Sequence, residues 1–306
     1  MRDTFVKTLI GEAKENKKIE LITGDLGFGV LKPFWEQLPD QFTNAGIAEQ
    51  NMTSVAAGMA LEGKIVFTYS IGNFPTLRCL EQIRNDCAYH NANVKIVCVG
   101  GGFAYGSLGM SHHATEDIAI LRALPGVTVV CPGDRTEAEE ATKAIVNVPG
   151  TCYMRLGRGG EKRIHQEIAD FRIGKAILLH ESSKKQIAIF STGAILDEAT
   201  EARRQLCDLG YGVTQYSFHT VKPIDKDVIC RCAEEFDYIV TLEEHNIIGG
   251  LGGAVAEEMA ECSGKAKLLK FGLADSYCKH VGDQNYLRKQ YHITAEDIVK
   301  RIHSCY

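Results

Sequence analysis

The sequence predicts an α/β fold of two consecutive domains, each a mainly parallel sheet flanked by helices. Three observations predict it. Short β-branched apolar runs alternate with segments of helical period, the pattern of a parallel sheet covered on both faces. The runs are apolar throughout rather than alternating, as expected for strands buried on both sides. The alternation breaks once, around residues 160–185, where "GRGGEKRIHQEIADFRIGKAILLHESSKK" is charged and holds no long apolar run.

The elements follow in order. "MRDTFVKTLIGEAKENKK" reads as an amphipathic helix with Phe5, Leu9, Ile10 and Ala13 on one face. Charges interrupt its apolar residues, so it is not a signal peptide. Strands are predicted at "IELITGD", "GKIVFTYS", "NVKIVCVGG", "GVTVVCPG" and "GTCYMRLG", with helices over 50–61 and 135–146. In helix 50–61, Met52, Val55, Ala56, Met59 and Ala60 share one spacing and predict the buried face. Residues 166–185 read as a linker that holds one short strand. Beyond it come strands "QIAIFSTG", "GVTQYSF", "YIVTLEE" and "AKLLKFG", with helices over 196–209, 225–235 and 254–261. The C-terminal "TAEDIVKRIHSCY" reads as a last helix, with Thr294 as N-cap and Asp297 three positions on. The predicted domains are 1–165 and 186–306.

Composition sets limits on function. The chain has 306 residues, 45% hydrophobic and 24% charged, with a formal net charge of −5. That balance argues against a general nucleic-acid or membrane surface, since both favour a basic face. No apolar run approaches transmembrane length. Eleven cysteines, an odd number with no C-x-x-C pair, predict reduced thiols in a cytoplasm.

Familiar ligand motifs are few. No G-x-G-x-x-G follows a strand and no Walker A sequence is present. "IIGGLGG" reads as a tight strand-to-helix turn more readily than as a phosphate loop. No His/Cys cluster has metal spacing, and the adjacent His112 and His113 diverge, so no metal ligands are expected.

One carboxylate stands apart, in "FTNAGIAEQNMTSVAAGMALEGKIVFTYSIGNF", residues 42–74. Glu49 lies at the start of predicted helix 50–61. A helix dipole favours a carboxylate there by about 0.3–1 kcal/mol, so an ordinary first-turn residue is one reading. The surrounding sequence points elsewhere. "GIAEQNM", followed by a small-residue helix and an aromatic segment, resembles the pyrimidine-binding domain of the transketolase family of thiamine-diphosphate enzymes. Further matches fall in family order: "GDLGFG" at the end of the first strand, then "GMSHHATEDIAILRALPGVTVVCPGD", the histidine-bearing loop with its helix and strand. "HTVKPID" and "LEEHNIIGGLGGAVAE" resemble the family's C-terminal domain. The expected folds are therefore a pyrimidine-binding domain and a transketolase C-terminal-like domain.

The resemblance implies a cofactor site. Thiamine diphosphate reacts as a carbanion at its thiazolium C2, with its own 4′-amino group as base once tautomerised. In the family a glutamate hydrogen-bonded to the pyrimidine N1′ drives that tautomerisation, and Glu49 matches it. Phe74 matches the aromatic residue that stacks on the aminopyrimidine. Tyr69 and Phe67 share a strand face and either line the same pocket or belong to the core. Asp25 matches the aspartate that approaches the thiazolium side across the subunit interface; its ordinary reading is a turn residue ending a strand. His112 matches the substrate-facing histidine, which donates to a sugar hydroxyl or relays a proton. His113 is the second choice.

Departures from the family pattern carry information too. Members that work alone bind the diphosphate through magnesium at a Gly-Asp-Gly segment, and this chain has none. The expectation is half of a split enzyme. An N-terminal transketolase-like subunit would supply Gly-Asp-Gly, the diphosphate site and the Mg2+ ligands. An α2β2 heterotetramer, with self-association of this chain, would follow. Ile71 stands where a further aromatic is frequent, and Leu108 at the loop's aspartate position. Gly29 and Gly100 replace the serine and histidine that hold the sugar phosphate. Arg78, Arg155 and Arg158 are candidates to restore that contact, or are ordinary surface arginines.

The expected function is the C-terminal subunit of a split transketolase, a cytoplasmic transferase. It moves a two-carbon ketol unit from a ketose, phosphorylated in the usual case, to an aldose acceptor. Small sugars are the expected ligands, without nucleic acid or membrane. The alternatives are a decarboxylating carboligase related to deoxyxylulose-phosphate synthase, which "GIAEQ" and "RLGRGG" also resemble; the β subunit of a 2-oxo acid dehydrogenase; and a non-catalytic regulatory subunit that has kept the fold.

Overall fold

In the computed structural model, which describes residues 1–305, each of the nine apolar runs becomes a strand. Among the described residues twelve strands form two sheets. The first half contributes β1 (Ile19–Thr23), β2 (Phe42–Asn44), β3 (Ile65–Ile71), β4 (Val94–Val99), β5 (Thr128–Val130) and β6 (Cys152–Leu156). The second contributes β7 (Ile177–His180), β8 (Ile187–Thr192), β9 (Val213–Ser217), β10 (Thr220–Lys222), β11 (Tyr238–Asn246) and β12 (Lys267–Leu273). The sheet orders are β10-β5-β6-β4-β3-β1-β2 and β12-β11-β8-β9-β7. All neighbours are parallel except β10 on β5 and β7 on β9.

Every residue of β1, β4, β6 and β8 is buried, which is why these runs lack alternation. On one face of the first sheet, Phe5 and Leu9 of helix Arg2–Glu15 and Ile145 of helix Arg135–Val146 pack against Leu21, Phe67 and Val97. On the other, Met52 and Ala56 of helix Glu49–Leu61 pack against Ile22, Val66 and Ile96. Burying each large side chain contributes roughly 1.5–3 kcal/mol. The buried face of that helix is rotated from the expected one. Val55 is 40% exposed, while Thr53 and Ala57 are buried. Rotation in this sense places Glu49, Met52, Thr53, Ala56 and Ala60 inward together.

Three strands were not among the apolar runs. β2 is three residues long and β10 three, and β7, four residues within the stretch read as linker, joins the edge of the second sheet. β10 belongs in sequence to the second half yet pairs with β5, so the second half completes the first sheet. The segment after β6 is pinned by Asp134, whose Oδ2 accepts from the backbone N–H groups of Ile164 and His165 at 2.8 Å. Burial works against that carboxylate's charge, but hydrogen bonds from His165 and the Glu137 N–H outweigh it and hold the carboxyl at about 2.

The last helix, Ala295–His303, starts in the expected capping box of Thr294 and Asp297. The expectation of reduced thiols throughout is corrected at one pair. Helices Lys226–Glu235 and Leu251–Glu261 pack through Val228, Ile229, Leu251 and Val255, which brings Cys230 and Cys262 into a disulfide with Cα atoms 5.4 Å apart. The other nine cysteines are free. Among the described residues no helix is long and apolar enough to cross a membrane.

Candidate functional site

In a parallel sheet the ligand crevice lies beyond the carboxyl ends of the strands, where the strand order reverses. Here the chain goes from β1 outward to β2 and then back to β3 on β1's other side, so the reversal falls between β1 and β3. The loops that leave these two strands carry Gly24, Asp25 and Phe74, and the helix after β2 begins with Glu49.

Local chemistry holds these loops together. A Cβ on Gly24 would lie 3.3 Å from the Gly46 carbonyl oxygen and 3.5 Å from Glu49 Cγ, so the end of β1 closes directly on the glutamate. Asn44 ties the two loops: its Oδ1 accepts from the N–H groups of Asp25 at 2.9 Å and Gly46 at 3.0 Å, and its Nδ2 donates to Asp25 Oδ1 at 3.0 Å. Asp25 sits at φ 56, a left-handed conformation that Asp tolerates with such local bonds. Sequence reasoning missed Asn44. Its signal was "TNAG", an Asx turn onto Gly46.

Glu49 is 5% exposed. Its Oε2 accepts from Arg78 Nη1 at 2.8 Å, and its Oε1 takes no hydrogen bond from the described residues. The Arg78 guanidinium carbon stands 4.6 Å from the centroid of the Phe74 ring. On Phe74 the His112 ring packs edgewise at 5.2 Å, and His112 Nδ1 meets Ser111 Oγ at 3.1 Å. Glu49, Phe74, Arg78 and His112 therefore form one cluster, with Asp25 exposed at its rim beside Gly24.

Four expected site residues lie elsewhere. Tyr69 is 2% exposed and packs with Phe5, Phe67 and Leu31 on the sheet face opposite helix Glu49–Leu61. The pocket-lining expectation for Tyr69 is corrected, because strand parity turns it into the core. His113 is buried behind the loop, edgewise on Phe103, with Nε2 3.5 Å from the Gly106 carbonyl. Burial lowers its pKa. Arg155 is 3% exposed and spends its donors internally, Nε on Asp117 at 2.8 Å and Nη2 on the carbonyls of Ala114 at 2.7 Å and Glu244 at 3.0 Å. It has no free donor fork for a phosphate, so that expectation is corrected too. Arg158 is exposed, over the Tyr105 ring at 5.0 Å, and takes no part in the Glu49 cluster.

Gly100 marks a rebuilt wall. At φ 93, a Cβ there would stand 2.1 Å from the Tyr105 ring, so no histidine fits while Tyr105 holds that place. Leu108, by contrast, is exposed.

The loop bearing His112 is braced by the second half of the chain. Glu244, at the end of β11, accepts from the Phe103 N–H at 2.5 Å and from Arg288 Nε at 2.5 Å. Tyr153 also bonds Asp117. Asn246 N–H donates to the Thr115 carbonyl at 2.8 Å. Thr115, Asp117, Glu244 and Asn246 lie within the stretches "GMSHHATED" and "LEEHN", but nothing in the sequence pairs these stretches with each other or with Arg288.

The glycine loop "IIGGLGG" is a turn, and its helix N-terminus is already filled. Glu243 Oε2 accepts from the Leu251 N–H at 2.7 Å and Oε1 from the Gly252 N–H at 2.8 Å. A Cβ on Gly250 would lie 1.9 Å from Glu243 Oε2. Burial pushes the Glu243 carboxyl up to about 7, more than the two N–H bonds pull it down. A folded-state pKa above the ordinary 4.5 means the group's contribution to stability is fully present below pH 4.5 and lost as pH rises through about 7. In urea unfolding, the stability of wild type minus that of Glu243→Gln is expected to fall by up to about 3 kcal/mol over that window. A difference that is flat or rises with pH would contradict the assignment.

Fold and site together define a doubly wound α/β protein with a buried carboxylate and an aromatic ring at the carboxyl-end crevice of its first sheet. Residues 1–160 match the family model "Transketolase, pyrimidine binding domain" and residues 174–298 match "Transketolase, C-terminal domain", and the chain belongs to the transketolase family. It is 36% identical over 304 residues to the 6-deoxy-6-sulfo-D-fructose transketolase subunit of Clostridium sp. (strain MSTE9), covering 99% of this chain and 93% of that one. Identity is 35% over 301 residues to an apulose-4-phosphate transketolase subunit of Phocaeicola vulgatus, covering 98% and 95%. A solved split-gene transketolase, an inactive beta4 tetramer, is 33% identical with a TM-score of 0.88, covering 99% and 96%. The chain is thus of the type of a split-transketolase subunit, and thiamine diphosphate use goes with the family. The Glu49 carboxylate, 5% exposed, and the Phe74 ring, brought together in one cluster, fit the aminopyrimidine half of that cofactor. Among the described residues no group of three or more His, Cys, Asp or Glu is arranged to hold a metal ion.

Proposed function

We propose that this chain, joined to an N-terminal-type partner, transfers a two-carbon ketol unit between sugars. The observation that carries the reading is the buried Glu49 carboxylate beside Phe74 at the β1/β3 crevice. Bound thiamine diphosphate supplies a nucleophilic carbon that attacks a carbonyl and then stores the negative charge. The Glu49 carboxyl holds a proton at the pyrimidine N1′ position, in a site where buried hydrogen bonds are strong. Phe74 fixes the plane of the ring. His112, at the mouth, donates to a sugar hydroxyl or relays a proton. Asp25 stands at the rim, towards a second subunit.

The partner brings the Gly-Asp-Gly segment, the diphosphate site and the Mg2+ ligands. Two relatives are described as subunits, and the solved split-gene protein is a tetramer of one chain type, which supports an α2β2 assembly with self-association of this chain. Those relatives act on a sulfonated and a phosphorylated sugar. A ketose with a terminal anion is therefore the substrate class. A cytoplasmic location belongs to the same reading: nine of the eleven cysteines are free, while the Cys230–Cys262 disulfide counts against it.

The test is to incubate the reconstituted pair, thiamine diphosphate and Mg2+ with a ketose phosphate and an aldose, and in parallel with carboxyl-labelled pyruvate. Ketol transfer that needs both chains is expected. Carbon dioxide release from pyruvate would replace this reading with the decarboxylating carboligase, and full turnover by this chain alone would reject the split site.

A further inference from the structure

Arg78 makes the two contacts that the proposed function reserves for the aminopyrimidine. Its planar guanidinium lies 4.6 Å over the Phe74 ring, and its Nη1 donates to Glu49 Oε2 at 2.8 Å. The edge contact from His112 takes a further part of the same ring at 5.2 Å. A flat cation that stacks on an aromatic and hydrogen-bonds a carboxylate resembles a protonated aminopyrimidine in shape and charge.

We propose that Arg78 is a placeholder: it occupies the aminopyrimidine seat in the cofactor-free chain and swings out when cofactor binds. The physical need is plain. Glu49 is 5% exposed, and a buried carboxylate without a partner is costly. Arg78 neutralises it while the seat is empty. The Arg78 side chain is 46% exposed, so its exit leads into solvent and leaves no second buried charge behind. It sits in a 3₁₀ turn, Leu77–Cys79, ahead of a π-helical turn, Ile83–Ala88. Such irregular helical turns recur at functional sites. The cofactor must then break an ion pair before it binds, which lowers its apparent affinity by the fraction of open seats. This role replaces the substrate-phosphate contact expected of Arg78, since a guanidinium paired with Glu49 faces into the seat.

The proposal rests on Glu49 and Phe74 being the aminopyrimidine seat, and the experiment separates the two claims. Thiamine diphosphate is titrated calorimetrically, with Mg2+, into the chain reconstituted with its partner, as wild type, Arg78→Ala, Arg78→Lys, Glu49→Gln and Phe74→Ala. Loss of the ion pair in Arg78→Ala is expected to tighten binding about fivefold. Arg78→Lys, which keeps the charge without the plane, is expected to fall between it and wild type. Glu49→Gln and Phe74→Ala are expected to weaken binding. Unchanged or weaker binding by both Arg78 variants overturns the placeholder while leaving the seat intact. Unchanged binding by both Glu49→Gln and Phe74→Ala overturns the seat, and the placeholder with it.

Discussion

Glu49→Gln is expected to lower turnover of the reconstituted pair by roughly two to four orders of magnitude, the usual loss for a positioned proton-transfer group. Glutamine keeps the volume and an acceptor oxygen, and it sits in the same first turn of helix Glu49–Leu61, so folding is expected to survive. What it cannot do is give and take a proton. The loss should therefore appear in kcat, with a smaller change in KM for sugar, because no sugar contact is assigned to this residue. Steady-state rates at saturating thiamine diphosphate decide the matter. A loss under tenfold would return Glu49 to its plainer role as a helix-start carboxylate and would favour the regulatory-subunit alternative.

The second large effect is structural. Arg155→Met is expected to destabilise the chain by about 3–5 kcal/mol, because it leaves the buried Asp117 carboxylate without its cation. Burial works against the charge of Arg155, but its neighbours together, the Asp117 carboxylate first among them, outweigh it and keep the guanidinium charged. Its contacts reach two separate pieces of chain, the 114–117 segment through Ala114 and Asp117, and the end of β11 through Glu244. Its loss should loosen the loop that carries His112 from the second half of the molecule. Urea or thermal unfolding measures this, with a fall in Tm of roughly 10 °C expected. The double variant Arg155→Met with Asp117→Leu should recover part of the loss, since two apolar side chains can replace a buried pair. A single variant as stable as wild type would show that Arg155 is not the strut.

These two residues also show what can be read from sequence. Glu49 was legible because its neighbourhood, "GIAEQNM" followed by Phe74, carries an ordered local pattern. Nine strands were legible because each lies in a continuous apolar run. Arg155 was misread for the same reason: in a strand buried on both sides, nothing in "YMRLG" reveals that the arginine is enclosed. Tyr69 failed through parity. Its partnership with Phe67 was visible, but which face of β3 meets helix Glu49–Leu61 depends on tertiary packing. β7 is the short strand expected within 166–185, whereas β2 and β10 have three residues each and lie in no continuous apolar run. The Arg78–Glu49 pair joins residues 29 positions apart and exists only once β1 and β3 lie side by side. The Cys230–Cys262 pair needed two helices to pack, which spacing alone does not report.

The central claim is that Glu49 prepares the cofactor for reaction only when a second chain completes the site. Exchange of the thiazolium C2 proton of thiamine diphosphate for deuterium, followed by NMR after rapid quenching, tests it most directly. The expected result is fast exchange in the wild-type pair, exchange slowed by about a hundredfold or more in the Glu49→Gln pair, and the rate of free cofactor with this chain alone. Exchange in the Glu49→Gln pair as fast as in the wild-type pair, or full acceleration by this chain without a partner, would contradict it.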